Sequence, residues 1–173
     1  MEQENQMSEP NLSIDSALGI LLTKSGYDTL QAELENLTVV KRPDIANRIR
    51  ESQQHGEFSE DNNELDEVKF EQAIVETRIA ELKTLFSGAI VLEKQMIPTD
   101  HVGIGSAVTI TDKEWNDTFQ IRIVSSFEAD PKENLISSES PMGMALLGAH
   151  PSEEVSFMTP DGKKKYIVNK ITR

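Results

Sequence analysis

Apolar residues recur at steps of three and four from Leu30 through Leu34 and Leu37, with charged and polar residues between them. Thr23 stands where an N-cap is needed, so the pattern predicts a helix through LTKSGYDTLQAELENL. Pro43 then removes one helical hydrogen bond and crowds the preceding turn, which predicts a kink or a restart. The period resumes at Ile45 and Ile49 and closes near Gln54-His55-Gly56, where glycine suits a left-handed cap. A second helical run follows, with Leu65, Val68, Gln72, Val75, Ile79, Leu82 and Phe86 at alternating steps of three and four. This is the seam of a coiled coil, and Gln72 is a polar break in it that would fix register. From Asn62 to Phe86 the helix would run about 37 Å. Only a narrow stripe of each helix is apolar, so the two should form an antiparallel hairpin that projects without further partners.

After Ser87-Gly88 the period changes to two. Ala89–Leu92, Ala107–Thr111, Thr118–Ser125, Val155–Thr159 and Lys165–Ile171 read as short strands, with Phe119, Ile121 and Ile123 on one face. Ser140 as N-cap, Pro141 at the first helical position and Gly148 past the end mark one short helix. Asp161-Gly162 marks a turn into the last strand. The predicted class is α+β: a disordered acidic tail over residues 1–20, a helical hairpin over 21–87, and a small antiparallel sheet carrying one helix over 88–173.

Charge changes the picture. The net charge of −13 is concentrated early: residues 1–98 hold 19 acids against 9 bases. Such a surface disfavours direct duplex binding and suits a basic protein partner or a positively lined channel. No cysteine is present, which excludes disulfide and thiolate-metal chemistry and fits a reducing cytoplasm. No apolar run reaches membrane-spanning length, and the first residues lack a signal pattern, so no membrane partner is expected. The few aromatics, among them Trp115, Phe119, Phe127, Phe157 and Tyr166, fall mostly in the second half and are read as its core.

The most distinctive stretch is GEFSEDNNELDE at residues 56–67, six carboxylates with no positive charge, placed where one helix turns back on the other. Acids in the first turn of a helix favour its positive end by roughly 0.3–1 kcal/mol each, and Asp61 or Asn62 would serve as N-cap. That accounts for Glu64, Asp66 and Glu67. Glu57, Glu60 and Asp61 exceed what capping requires. Carboxylates are hard oxygen donors suited to Mg²⁺, yet a few on a turn would only complete a site whose other ligands belong to a partner.

Other chemistries find little support. The run does not match the calcium-loop spacing, and Gly103-Ile104-Gly105 lacks the third glycine of a dinucleotide loop and reads as a bend. His55, His101 and His150 lie far apart in sequence with no metal-ligand spacing, and no serine sits in a nucleophile elbow. Lys163-Lys164-Lys165 reads as a solvated hairpin end. Lys41, Arg42, Arg48 and Arg50 form a small basic patch that could touch RNA, although pairing with the acidic return helix is the favoured reading.

Together, LLTKSGYDTLQAELENL at 21–37, KRPDIANRI at 41–49, GEFSE at 56–60, ELDEVKFEQAIVETRIAEL at 64–82 and ISSESPMGMALLGAHPSEEV at 136–155 resemble the bacterial Gre transcript cleavage factors. The resemblance implies an N-terminal antiparallel coiled coil and a C-terminal domain like the FK506-binding (FKBP-like) fold. It also implies a monomeric cytoplasmic elongation factor that docks at the secondary channel of RNA polymerase and meets the nascent RNA 3′ end only inside that complex. Glu57 and Glu60 fall on the family's tip Asp and Glu, with Asp61 beside them. They would share the second Mg²⁺ with polymerase and stimulate its own cleavage of backtracked RNA; the chain would not be an enzyme alone. Ser140, Pro141 and Met142 would face the polymerase rim, and Arg42, Arg48 and Arg50 would lie near RNA. Two departures stand out: Glu57 replaces Asp, and one extra residue separates Gly56 from Lys69. A Gre-type inhibitor of the same channel is the alternative within the family. A prolyl isomerase or chaperone is the alternative outside it, and would need a concave aromatic pocket.

Overall fold

The computed structural model describes residues 19–55 and 63–173. The chain runs β1 (Ile20–Thr23), α1 (Lys24–Asn36), a π-helical stretch Leu37–Lys41, α2 (Arg42–His55), α3 (Asn63–Gly88) and β2 (Ala89–Leu92). The second half adds β3 (Ala107–Asp112), β4 (Thr118–Val124), β5 (Leu135–Ser137), α4 (Pro141–Leu146), β6 (Glu154–Thr159) and β7 (Gly162–Thr172). The tip of the hairpin, from Gly56 to Asn62, lies outside the described residues, as does the expected tail up to residue 18.

The first helix begins where its cap predicts. Thr23 is extended at φ −67° and ψ 155°, and its hydroxyl accepts the Gly26 N–H at 3.0 Å. The expected kink at Pro43 takes another form. Residues 37–41 widen into a π turn in which the Arg42 N–H reaches back to the Leu37 carbonyl. Proline has no N–H to give and its ring crowds the carbonyl four residues earlier, so one wider turn lets the helix pass the proline without a break.

Two clusters hold the hairpin together. Leu22, Leu30, Leu82 and Leu85 are buried at the base, with Tyr27 edge-on to Phe86 at 5.0 Å. Ile45, Val68, Val75 and Ile79 are buried along the arm, and Leu34 and Leu37 bridge the two clusters. The seam therefore follows the predicted stripe except at two positions. Gln72 is exposed and takes no part in it, while Leu85 is buried. A helix with 3.6 residues per turn drifts away from a strict seven-residue repeat, so a straight pairing shifts the buried stripe.

Two strand assignments also need correction. Ile20, expected at the end of a disordered tail, opens β1, and Ala89–Leu92 does not join the C-terminal sheet. Instead β1 and β2 pair in parallel, Ile20 with Ala89 through Thr23 with Leu92, as a separate two-stranded sheet. The main sheet has the order β5-β4-β3-β7-β6. It is antiparallel except at its edge, where β5 runs parallel to β4. Its core is aliphatic, built from Val108, Ile110, Ile121, Ile123, Leu146 and Val168. The aromatics contribute less than expected: Trp115 is 73% exposed on the β3–β4 turn. Phe119, Tyr166 and Phe157 are only partly buried, Tyr166 lying 6.0 Å from the first ring and 5.6 Å from the second.

One side chain ties the hairpin to the sheet domain. The buried Glu128 accepts the Thr23 N–H at 3.0 Å through one oxygen and the Thr23 hydroxyl through the other. Ser125 donates its hydroxyl to the same carboxylate at 3.3 Å. The negative charge sits at the positive end of α1. Gly26 makes room for it, because a Cβ there would lie 1.8 Å from Glu128 Oε2. Glu128→Ala leaves the part-buried Thr23 N–H and hydroxyl without their acceptor, and should lower stability by about 1–3 kcal/mol in urea unfolding of the full chain. A change below about 0.5 kcal/mol would show that this junction does not hold the two parts together.

Candidate functional site

Glu57, Glu60 and Asp61 lie outside the described residues; the structure describes the arm that carries them. That arm consists of α2 and the N-terminal part of α3, and α3 alone spans about 39 Å. The aliphatic seam occupies one stripe, and ion pairs flank it. Arg42 donates through Nε to Glu76 at 2.6 Å and through a second nitrogen to the other carboxylate oxygen. Arg48 pairs with Glu71, and its Nε stands 3.7 Å from Asp44. Nearer the base, Arg78 holds both oxygens of Glu33 at 2.7 and 2.9 Å. Of the residues proposed as RNA-proximal, Arg42 and Arg48 are thus engaged with the return helix. Arg50 donates to Asn47 at 3.1 Å and, among the described residues, pairs with no carboxylate of the return helix.

The outer side of the arm is not wholly polar. Phe70 is 69% exposed, and Ile74 one turn later, with Val39 and Val40 on the π turn, is exposed as well. The seven-residue period gave no reason to single them out, because they fall outside the seam.

The second candidate region is the start of α4. The Ser140 hydroxyl accepts the Gly143 N–H at 3.0 Å and donates to the Ser137 carbonyl at 2.7 Å, so it is a cap. Gly143 permits α4 to approach the end of β5, since a Cβ there would lie 2.0 Å from the Ser137 oxygen. Pro141 is exposed, whereas Met142 is half-buried against the sheet core. Met144, 60% exposed, was missed; it shares the short helix with Pro141 and offers apolar surface beside it.

The histidines depart from the sequence reading. His101 and His150 come together, with ring centroids 6.2 Å apart. The His150 Nδ1 lies 2.8 Å from the Asp100 carbonyl, and His101 Nδ1 lies 3.0 Å from the Asp100 carboxylate. Sequence separation hid this because backbone bonds between Val102 and the 148–149 segment join two distant loops. Among the described residues, no group of three or more His, Asp or Glu could hold a metal ion. The lysine run is also more engaged than expected: Lys164 meets Glu114 at 2.6 Å, and Lys165 lies 3.7 Å from Glu154.

Comparison with known proteins places this arrangement. Residues 20–91 match the family described as "Transcription elongation factor, N-terminal", and residues 97–173 match "Transcription elongation factor, GreA/GreB, C-term". The chain belongs to the GreA/GreB transcription elongation factor family. It is 46% identical over 154 residues to transcription elongation factor GreA of Alkaliphilus oremlandii, covering 89% of this chain and 96% of that protein. It is 45% identical to GreA of Clostridioides difficile, covering 88% and 96%. Among solved structures, GreA factor homolog 1 (Gfh1) of Thermus thermophilus is 30% identical, covering 90% of this chain and 99% of that one at a TM-score of 0.43. The family assignment rests on the sequence matches.

Hydrogen bonds from Arg42 hold the Glu76 carboxyl below the usual carboxylate range. A depressed folded-state value means the pair's contribution is complete above the unfolded carboxylate pKa of about 4.3 and is lost as pH falls through the lower folded value. Melting temperatures of the wild type and Glu76→Gln should therefore differ at pH 7 and converge below about pH 4. A gap that stays constant down to pH 3 would break the link between this pair and acid stability.

Proposed function

We propose that this Gre-family protein binds RNA polymerase, inserts its hairpin into the secondary channel and stimulates cleavage of backtracked RNA by the polymerase itself. The carrying observation is that both family models match, in order, a chain whose acidic run joins α2 to α3. The relatives at 45–46% identity bear the name of elongation factor GreA, which supports an activating role. Exposed Phe70, Ile74, Val39 and Val40 on the arm support insertion between protein walls, where apolar surface gains partners.

Glu57 and Glu60, with Asp61 in reserve, are the residues that would share a Mg²⁺ with polymerase carboxylates. Their donor chemistry fits, because carboxylates are the hard oxygen ligands this ion prefers. When bound, the ion supplies charge stabilisation at an exchanging oxygen of the phosphodiester. The chain's own work is positioning. The paired seam and the Arg42–Glu76 and Arg48–Glu71 bridges stiffen the arm, so that two or three carboxylates arrive in a fixed place. Pro141 and Met144 give α4 an exposed apolar corner suited to the polymerase rim, next to the cap that Ser140 supplies.

The test is to add the full chain to backtracked elongation complexes and follow transcript length. Shortening is expected, reduced about 100-fold by Glu57→Ala or Glu60→Ala. Suppressed elongation without shortening would select the inhibitory alternative, for which Glu57 in place of Asp and the extra tip residue provide the motive. Pro141→Ala keeps the Ser140 cap and should weaken polymerase association while the melting temperature stays put. Unchanged association with lowered stability would make Pro141 structural and move the docking face elsewhere.

A further inference from the structure

A cavity of about 690 Å³ lies between the base of the hairpin and the sheet domain. Its walls carry five cationic residues, Lys24, Arg78, Lys94, Arg122 and Arg173, and two acidic ones, Glu33 and Glu128. In a chain of net charge −13, this is a local excess of positive charge. Both carboxylates are already engaged: Glu33 by Arg78, Glu128 by Thr23 and Ser125. Lys24 is paired with Asp28. Among the described residues, Lys94, Arg122 and Arg173 have no carboxylate within ion-pair distance.

Arg122 is the informative one. It is half-buried on β4, and among the described residues its guanidinium makes one hydrogen bond, to the Gly105 carbonyl at 2.5 Å. A guanidinium has five donors in a planar fork, so most of its capacity faces elsewhere, and a partly desolvated cation gains from an anion with several oxygens. Beside the cations the cavity has an apolar wall that includes Leu92, Ile97, Leu135 and Phe127. Phe127 is 40% exposed, an aromatic face left open at the cavity. The volume falls in the range of small-molecule sites.

We propose that this cavity binds a nucleoside polyphosphate, its phosphates on Lys94, Arg122 and Arg173 and its base against Phe127. Cations without a carboxylate partner favour the phosphates, and the apolar wall favours a nucleotide over a bare anion. Because the walls come from both α1 and the sheet domain, occupancy would also tie the arm to its base. This inference does not depend on the polymerase reading.

Titration calorimetry of the full chain against GTP, ATP and inorganic pyrophosphate tests it, without Mg²⁺ so that the tip carboxylates are not recruited. A nucleoside triphosphate should bind more tightly than pyrophosphate, and Arg122→Gln should weaken it about tenfold or more. Lys94→Gln, at an exposed position, should do the same with an unchanged melting temperature, which covers the case in which Arg122→Gln misfolds. Phe127→Ala should weaken the nucleotides and spare pyrophosphate. Dissociation constants above roughly 1 mM for all three probes would overturn the proposal, as would Lys94→Gln binding like the wild type. Pyrophosphate binding as tightly as GTP would overturn the base contact, and equal displacement by a polyglutamate peptide would overturn the nucleotide class.

Discussion

The Glu128 carboxylate is the point at which two differently built halves become one molecule. One oxygen takes the Thr23 N–H that α1 cannot satisfy internally, and the other takes the Thr23 hydroxyl, which in turn caps Gly26. Helix ends leave four N–H groups without partners, so a side chain from another domain that meets one of them also sets where the helix starts. The short distance this demands leaves no room for a side chain at Gly26. Since α1 leads into the arm, its anchoring bears on the direction in which the whole hairpin leaves the sheet domain. The cavity beside Glu128 is lined from both sides of this junction, by residues between Thr23 and Leu30 of the hairpin base and by Arg122, Val124 and Leu135 of the sheet domain.

The arm answers a different constraint. Two helices in water share a single seam, so each buries only a stripe, and most of its other residues must tolerate solvent. Aliphatic burial along Ile45, Val68, Val75 and Ile79 supplies cohesion. The cross-helix pairs of Arg42, Arg48 and Arg78 add little stability singly, as exposed pairs do, but each forms at one relative placement of the helices and so penalises slippage. The π turn before Pro43 belongs to the same economy of length: a break there would have divided the arm and freed its outer half to swing. A reach of several nanometres is useful only if the far end arrives in a defined place.

What could be read in the chain was local. Thr23 and Ser140 announce their helices because a cap and its N–H partner are three residues apart. The strand periods around Ile121 and Val168 hold because alternation is a property of a few neighbours. The misreadings involve distant partners. Ile20–Thr23 is a strand only because Ala89–Leu92 lies alongside, and the pairing of His101 with His150 depends on loops nearly fifty residues apart. Glu128 could not be singled out, since nothing nearby in sequence signals a bond across 105 residues. At the candidate site, the charge of the tip was plain from composition, whereas the exposed Phe70, Ile74 and Met144 required knowing which face each helix buries.

The residues assigned to partner contact share a property that follows from this construction. Pro141, Met144, Phe70 and Ile74 are absent from all three buried clusters. The cores that hold the fold therefore do not draw on these side chains. The seam, the caps and Glu128 hold the arm and its base. The exposed Phe70, Ile74, Pro141 and Met144 lie outside what holds them, so either set of side chains can change without disturbing the other.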